Sequence, residues 1–152
     1  MAPSGSKGVH PVVSPFPAVG GRKNEPDAGG VAQAFSRIGY RTEDALADLI
    51  DNSVDASASG VLIRLYRSSS FIERIAIADD GGGMTEKRLE FAMRFGAALH
   101  HKPTDLGKYG MGLKSASLSQ CKSFSVLTRS RGRVNARRWT IESIERGWFC
   151  EE

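Results

Sequence analysis

Between Leu46 and Ala56 the chain reads LADLIDNSVDA, and its apolar positions recur with a helical period. At about 100° per residue, Leu46, Leu49, Ile50, Ser53 and Val54 fall on one side. Asp44, Asp48, Asp51, Asn52 and Asp55 fall on the other, with Asp48, Asn52 and Asp55 stacked at i, i+4 and i+7. Thr42 precedes this stretch as an N-cap hydroxyl, and Glu43 and Asp44 sit in the first turn, where carboxylates favour the helix dipole. Ala45 stands where a capping box needs Glu or Gln. The pattern predicts a helix from Thr42 to about Ala56 that stops within the SASG that follows. Upstream, VAQAFSRIG predicts a short helix over 31–39 closed by Gly39. Residues 1–30 are rich in Gly, Pro, Ser and Ala without a period of 2 or 3.6, so a disordered or loosely attached tail is expected, with the domain over 31–152.

Downstream, VLIRLY (61–66) and IERIAIA (72–78) are β-branched and partly alternating, and with RSSSF between them they predict an antiparallel hairpin. The second strand runs straight into Asp79-Asp80-Gly81-Gly82-Gly83-Met84. Thr85 opens a helix through Phe95, with Leu89, Ala92 and Met93 on its inner side and Gly96 marking its end. Residues 97–106 carry no period and are expected as a loop. GKYGMG (107–112) leads into a helix over 113–120, and residues 122–128 and 134–141 predict a second hairpin around Ser130-Arg131-Gly132-Arg133. This order predicts an α+β fold, with helices against one face of a sheet.

Composition narrows the class. The 152 residues have room for one domain with a modest core, and 40% hydrophobic and 25% charged residues suit a soluble globular protein. The apolar runs are too short to cross a bilayer, and no basic start is followed by an apolar core, so neither a membrane span nor a secretory signal is expected. Cys121 and Cys150 lack metal-ligand spacing and read as reduced thiols of a cytoplasmic protein. The net charge of +4 is uneven: residues 43–60 hold five acids and no Lys or Arg, whereas 122–152 hold seven Lys or Arg against four acids. An acidic helix within a basic chain suits an anionic ligand bound with a divalent cation, and suits a nucleic-acid surface equally.

Two glycine-rich segments add chemistry. Asp79-x-Gly81-x-Gly83 puts a carboxylate at a strand end beside glycines that let a flat ligand approach the backbone, and Asp79 can accept from an exocyclic amine, selecting adenine over guanine. A tight turn between strand and helix uses the same residue types. Gly107-x-x-Gly110-x-Gly112 opens a helix, so free N–H groups and the positive dipole end converge on a phosphate-sized point, with Lys108 and Lys114 adding charge. A flexible loop accounts for those glycines equally well. No strand leads directly into them, which disfavours a dinucleotide-binding βαβ unit.

Taken together and in this order, LADLIDNSVDA, DDGGGM and GKYGMGLKSAS resemble the GHKL ATPase family of gyrase, the ninety-kilodalton heat-shock chaperone, sensor histidine kinases and MutL. RFGA and GKYGMGLKSAS are most similar to its Microrchidia-type branch and bacterial relatives, and the resemblance covers about Ile38 to Thr128. It implies a Bergerat-type two-layer sandwich, a mixed or antiparallel sheet with helices on one face. It also implies ATP and Mg²⁺ as ligands. Asn52 would ligate Mg²⁺, with Asp55 nearby in the cofactor site, and Asp79 would read adenine with Gly81, Gly83 and Met84 along the base. Gly107, Lys108, Tyr109, Gly110, Met111, Gly112 and Leu113 would hold phosphates at the hinge of a lid over about 96–106, and Lys114 would approach the terminal phosphate. Four residues before the Mg²⁺-binding Asn the family usually carries a Glu that activates water. Here Asp48 keeps the carboxylate but is one methylene shorter, and a misplacement of about 1 Å costs on the order of 100-fold in rate. The family's domain continues to a further strand with a nucleotide-contacting threonine, so a C-terminally incomplete sheet is expected, with an unpaired edge at Trp148 and Phe149.

The expected activity is Mg²⁺-dependent ATP binding with slow hydrolysis assisted by Asp48 and Lys114, and lid closure that changes the surface shown to a second subunit of a homodimer. Two other uses stand beside it. One is transfer of phosphate to a partner histidine, against which Asp48 argues. The other is a non-hydrolysing module that binds ATP, or binds nucleic acid through Arg129, Arg131, Arg133, Arg137 and Arg138. Trp139 alone interleaves those arginines with aromatic surface, so a solvated hairpin is expected there. His100 and His101 read as solvated, and Met93 and Met111 as core or pocket wall.

Overall fold

A computed structural model of the chain describes Arg22, residues 24–96 and residues 111–152. Most of the expected tail and the expected lid, with His100, His101, Gly107, Lys108, Tyr109 and Gly110, lie outside the described residues.

Helix α1 (Ala28–Ser36) starts ahead of the predicted boundary because the Asp27 carboxylate caps it, accepting from the Gly30 N–H at 2.6 Å. Helix α2 (Thr42–Asp55) keeps Glu43 and Asp44 in its first turn, but its N-cap is Arg41. The expected Thr42 cap is corrected: the Thr42 hydroxyl donates instead to Gln120 Oε1 at 2.8 Å, because a tertiary acceptor lies within reach. Leu46, Leu49 and Ile50 are half-buried and Ser53 is buried, whereas Val54, expected on the inner side, is 58% exposed.

Strand β1 (Val61–Ser68) pairs antiparallel with β2 (Phe71–Asp79), Val61 opposite Asp79 and Ile63 opposite Ile77. After the turn comes α3 (Glu86–Met93), then α4 (Gly112–Gln120), then β3 (Ser123–Ser130) and β4 (Arg133–Thr140). The β3–β4 hairpin closes through Arg131 and Gly132, both at positive φ, the left-handed pair whose twist matches that of the flanking strands. A short helix that the pattern did not predict, α5 (Ile141–Glu145), opens with a capping box between Thr140 and Ser143.

The class is α+β with antiparallel strands, but among the described residues the strands form two separate two-stranded sheets, β1–β2 and β3–β4. Beyond β4 a single bridge meets the edge: Glu151 pairs with Arg138 through two 2.9 Å backbone hydrogen bonds. Trp148, expected on an open edge, packs 5.1 Å from the Phe95 ring, and Phe149 is exposed. No described helix is long and apolar enough to cross a membrane.

The helices pack around α4, which touches α1, α2 and β3. Ala32, Phe35, Leu89, Met93, Leu118, Trp139 and Ile144 form the core, and Phe95 joins three aromatic rings at 5.1–5.3 Å. Five consecutive α4 residues, Lys114 to Leu118, are buried, so this helix has no solvent-facing stripe at its start. The Lys114 ammonium accordingly turns inward and donates to the Ala92 carbonyl at 2.6 Å, satisfying an acceptor in the last turn of α3. Burial lowers its pKa to about 8.

Two predictions follow from this packing. At Gly83 (φ +63) an added Cβ would run into the Arg129 carbonyl, whereas at Gly132 (φ +78) nothing lies within 4 Å. Gly83→Ala should lose more than about 2 kcal/mol in denaturant titration and Gly132→Ala about 1 kcal/mol, the cost of a left-handed residue alone. Lys114 has a folded pKa below its unfolded one, so the cost of burying its charge is complete below pH 8. As pH rises from there toward about 10.5 the native state sheds the proton first, and stability rises by up to the order of 3 kcal/mol. Melting wild type and Lys114→Met across about pH 7 to 10 should show wild type gaining on the variant; a constant gap would refute the assignment.

Candidate functional site

Helix α2, which packs against α4 and touches β2, carries Asp48, Asn52 and Ser53. Asp48 is half-buried, and its Oδ2 accepts from the Tyr40 hydroxyl at 2.9 Å. That bond is the main reason the Tyr40 pKa is raised above its ordinary value, followed by burial. The Asn52 amide nitrogen donates to the Asp48 carbonyl at 2.9 Å, which leaves the amide oxygen outward in an exposed side chain. Asp55 follows on the last turn, exposed.

Asp79 ends β2. Its Oδ1 accepts from the Gly81 N–H at 2.9 Å, and its Oδ2 lies 3.4 Å from the Ser53 hydroxyl. The strand-end carboxylate is thus joined to α2 through Ser53, a residue that the helical pattern placed only as part of the inner side. Gly81 is required by packing: a Cβ there would sit 2.8 Å from the Ala56 carbonyl and 2.9 Å from Asp79 Oδ1. The neighbouring Asp80 faces the other way. It accepts from the Ser59 hydroxyl and from the Ser59 and Gly60 amides, and these bonds, the hydroxyl's first, hold its carboxyl below the usual carboxylate range. Thr128 on β3 completes the turn, its hydroxyl accepting from the Met84 N–H at 2.8 Å. Tyr40, Ser53, Asp80 and Thr128 were not singled out by the sequence; only Asp80, inside the glycine segment, had a local signal.

Met111 caps α4, and the Lys114 and Ser115 amides return to its carbonyl at 3.0 and 2.9 Å. Gly112 and Leu113 therefore contribute the N–H groups ahead of the first intrahelical bonds, the geometry of an anion site at a helix start. The Gly96 N–H meets Met111 Sδ at 3.4 Å, so the two ends of the 97–110 segment lie together beside this helix start. Lys114, expected to approach the terminal phosphate, is buried with its ammonium on the Ala92 carbonyl.

Among the described residues no group of three His, Cys, Asp or Glu could hold a metal by itself. The Asn52 amide oxygen, in an exposed side chain whose nitrogen is taken by the Asp48 carbonyl, is a donor that could hold a hard divalent cation together with phosphates and water. The arginine cluster is divided. Arg137 points inward with its side chain 12% exposed and pairs with Glu152 at 3.0 Å and Glu86 at 3.9 Å, and Arg138 bonds Ser123 and Glu151. Alternation along the hairpin sends 137 and 138 to opposite faces, so the five arginines do not form one surface.

Comparison with known proteins shows the family. The family described as histidine kinase-, DNA gyrase B-, and HSP90-like ATPase matches residues 40–151, from Tyr40 through the Glu151 bridge. Human ATPase MORC2 is 35% identical over 89 residues, 56% of this chain and 9% of that protein. Protein MICRORCHIDIA 3 of Arabidopsis thaliana is 33% identical over 92 residues, covering 57% and 15%. DNA mismatch repair protein MutL of Rickettsia bellii is 31% identical over 113 residues, covering 73% and 18%. The matches span less than a fifth of the length of these relatives. The chain belongs to the GHKL family of histidine kinase-, gyrase B- and HSP90-like ATPases and carries its ATP-binding domain.

Proposed function

We propose that this domain binds ATP with Mg²⁺ and hydrolyses it slowly. The observation that carries the reading is the placement of Asp79, fixed between the Gly81 amide and the Ser53 hydroxyl at the end of β2. A carboxylate held there accepts from the adenine amino group, and Gly81 and Gly83 keep the backbone low enough for the base to lie against the Gly81–Met84 turn. Asn52 would hold Mg²⁺ through its outward oxygen, and the ion when bound neutralises charge on the phosphates. The amides of Gly112 and Leu113 receive phosphate oxygens. Asp48 takes a proton from the water that attacks the γ-phosphate, and the similarity to the ATPase MORC2 supports hydrolysis. Lys114 has no part in this scheme.

The adjacent ends at Gly96 and Met111 support a closing segment hinged beside the phosphates. Its closure would govern pairing with a second copy of the domain. Cys121 and Cys150, both free, suit a reducing, cytoplasmic setting.

Calorimetric titration of ATP with Mg²⁺ into wild type and Asp79→Asn, with phosphate release followed on the same samples, tests the assignment. Asp79→Asn should bind at least about 100-fold more weakly, because the amide presents a donor to a donor. Equal affinity in the two proteins would refute the adenine contact.

A further inference from the structure

The Tyr40 hydroxyl reaches Asp48 Oδ2 at 2.9 Å from a position eight residues earlier, before α2 begins. Its main chain is held from another element. Gln120 Nε2, at the end of α4, donates to the Tyr40 carbonyl at 3.0 Å, and Gln120 Oε1 accepts from Thr42 at 2.8 Å. Ser115, in the first turns of α4, faces the same tyrosine hydroxyl. Tyr40 is thus anchored at its backbone and directed at one carboxylate oxygen, in the angle between the helix of Asp48 and Asn52 and the helix whose start faces the phosphate path.

We propose that Tyr40 is a positioning residue for ATP hydrolysis, its hydroxyl fixing the orientation from which Asp48 activates water. The proposal rests on the hydrolytic reading above. In that step the water oxygen bonds to the γ-phosphorus, and the bond from that phosphorus to the β,γ-bridging oxygen breaks. ADP leaves with the bond's electron pair, and the water proton passes to Asp48. Aspartate lacks the methylene with which glutamate adjusts its reach, so the direction of its carboxylate must be set from outside. The phenol engages Oδ2 and leaves Oδ1 to face the water. Tyr40 keeps its own proton throughout, since the bond to Asp48 pushes its pKa above the ordinary value.

The test measures ATP affinity and steady-state phosphate release with Mg²⁺ on the full chain, for wild type, Tyr40→Phe, Asp48→Asn, Asp48→Glu and Asp48→Glu combined with Tyr40→Phe. Tyr40→Phe should bind ATP within about twofold of wild type while kcat falls about tenfold, and Asp48→Asn should bind but release no phosphate. In the Asp48→Glu background the same tyrosine change should cost less than about threefold, because the longer side chain reaches the water without the tether. A Tyr40→Phe enzyme with unchanged kcat, or with affinity lost in step with kcat, overturns the positioning role while Asp48 stands as the base. Asp48→Asn releasing phosphate like wild type overturns Asp48 as the base, and wild type that releases none overturns the hydrolytic reading itself; the proposal falls with either. If Tyr40→Phe does not fold, Gln120→Ala frees the tyrosine backbone from an exposed position. It should lower kcat at unchanged affinity, and unchanged kcat would then be the refuting result.

Discussion

The turn from Asp80 to Met84 is the constraint on which the rest of the structure depends. Among the described residues the two hairpins share no strand pairing, so their relative placement rests on this turn and on the helices. Asp80 ties it to the Ser59–Gly60 approach to β1, the Gly82 N–H to the Ala56 carbonyl ending α2, and the Met84 N–H to Thr128 on β3. Gly83 lies so close to the Arg129 backbone that no side chain fits. One short segment therefore sets three elements around Asp79.

Helix α4 plays the complementary role from the other side. It is almost wholly enclosed, which is uncommon for a helix with a lysine and three serines in nine residues. Three of its polar side chains find partners within reach: Lys114 the Ala92 carbonyl, Ser115 that of Met111, and Ser119 that of Ala116. Buried polar groups with partners specify a single arrangement more sharply than apolar ones, because a shifted register would leave them unpaired. At its far end Gln120 fastens the chain just ahead of α2. Helix α4 thus also sets where α2 begins.

The legible part of the fold came from period and punctuation. The α2 stripe, the β-branched runs of both hairpins, the glycines after Asp79 and the Gly112 helix start all carry local signals, and each element formed within a few residues of its predicted span. Element ends moved where a side chain found a partner outside its own segment, as Thr42 did with Gln120. Helix α5 was missed because a capping box of Thr140 and Ser143 follows a strand pattern without a break. Lys114 shows a different limit. Its charge and position beside a helix start suggest an anion, but only packing reveals its burial and its bond to the Ala92 carbonyl.

The sequence by itself determined the element order and the family, because spacing along one chain fixes which groups share a helix face or a strand end. Tertiary structure alone decided the second partner of each group: Tyr40 on Asp48, Ser53 on Asp79, Thr128 on Met84 and Ala92 on Lys114. It also divided the arginines between two faces and an ion-paired interior. Hydrogen bonds of that kind join residues distant along the chain, and their geometry exists only once the elements are packed. The chemistry of each side chain is local, whereas the direction in which it is used belongs to the fold.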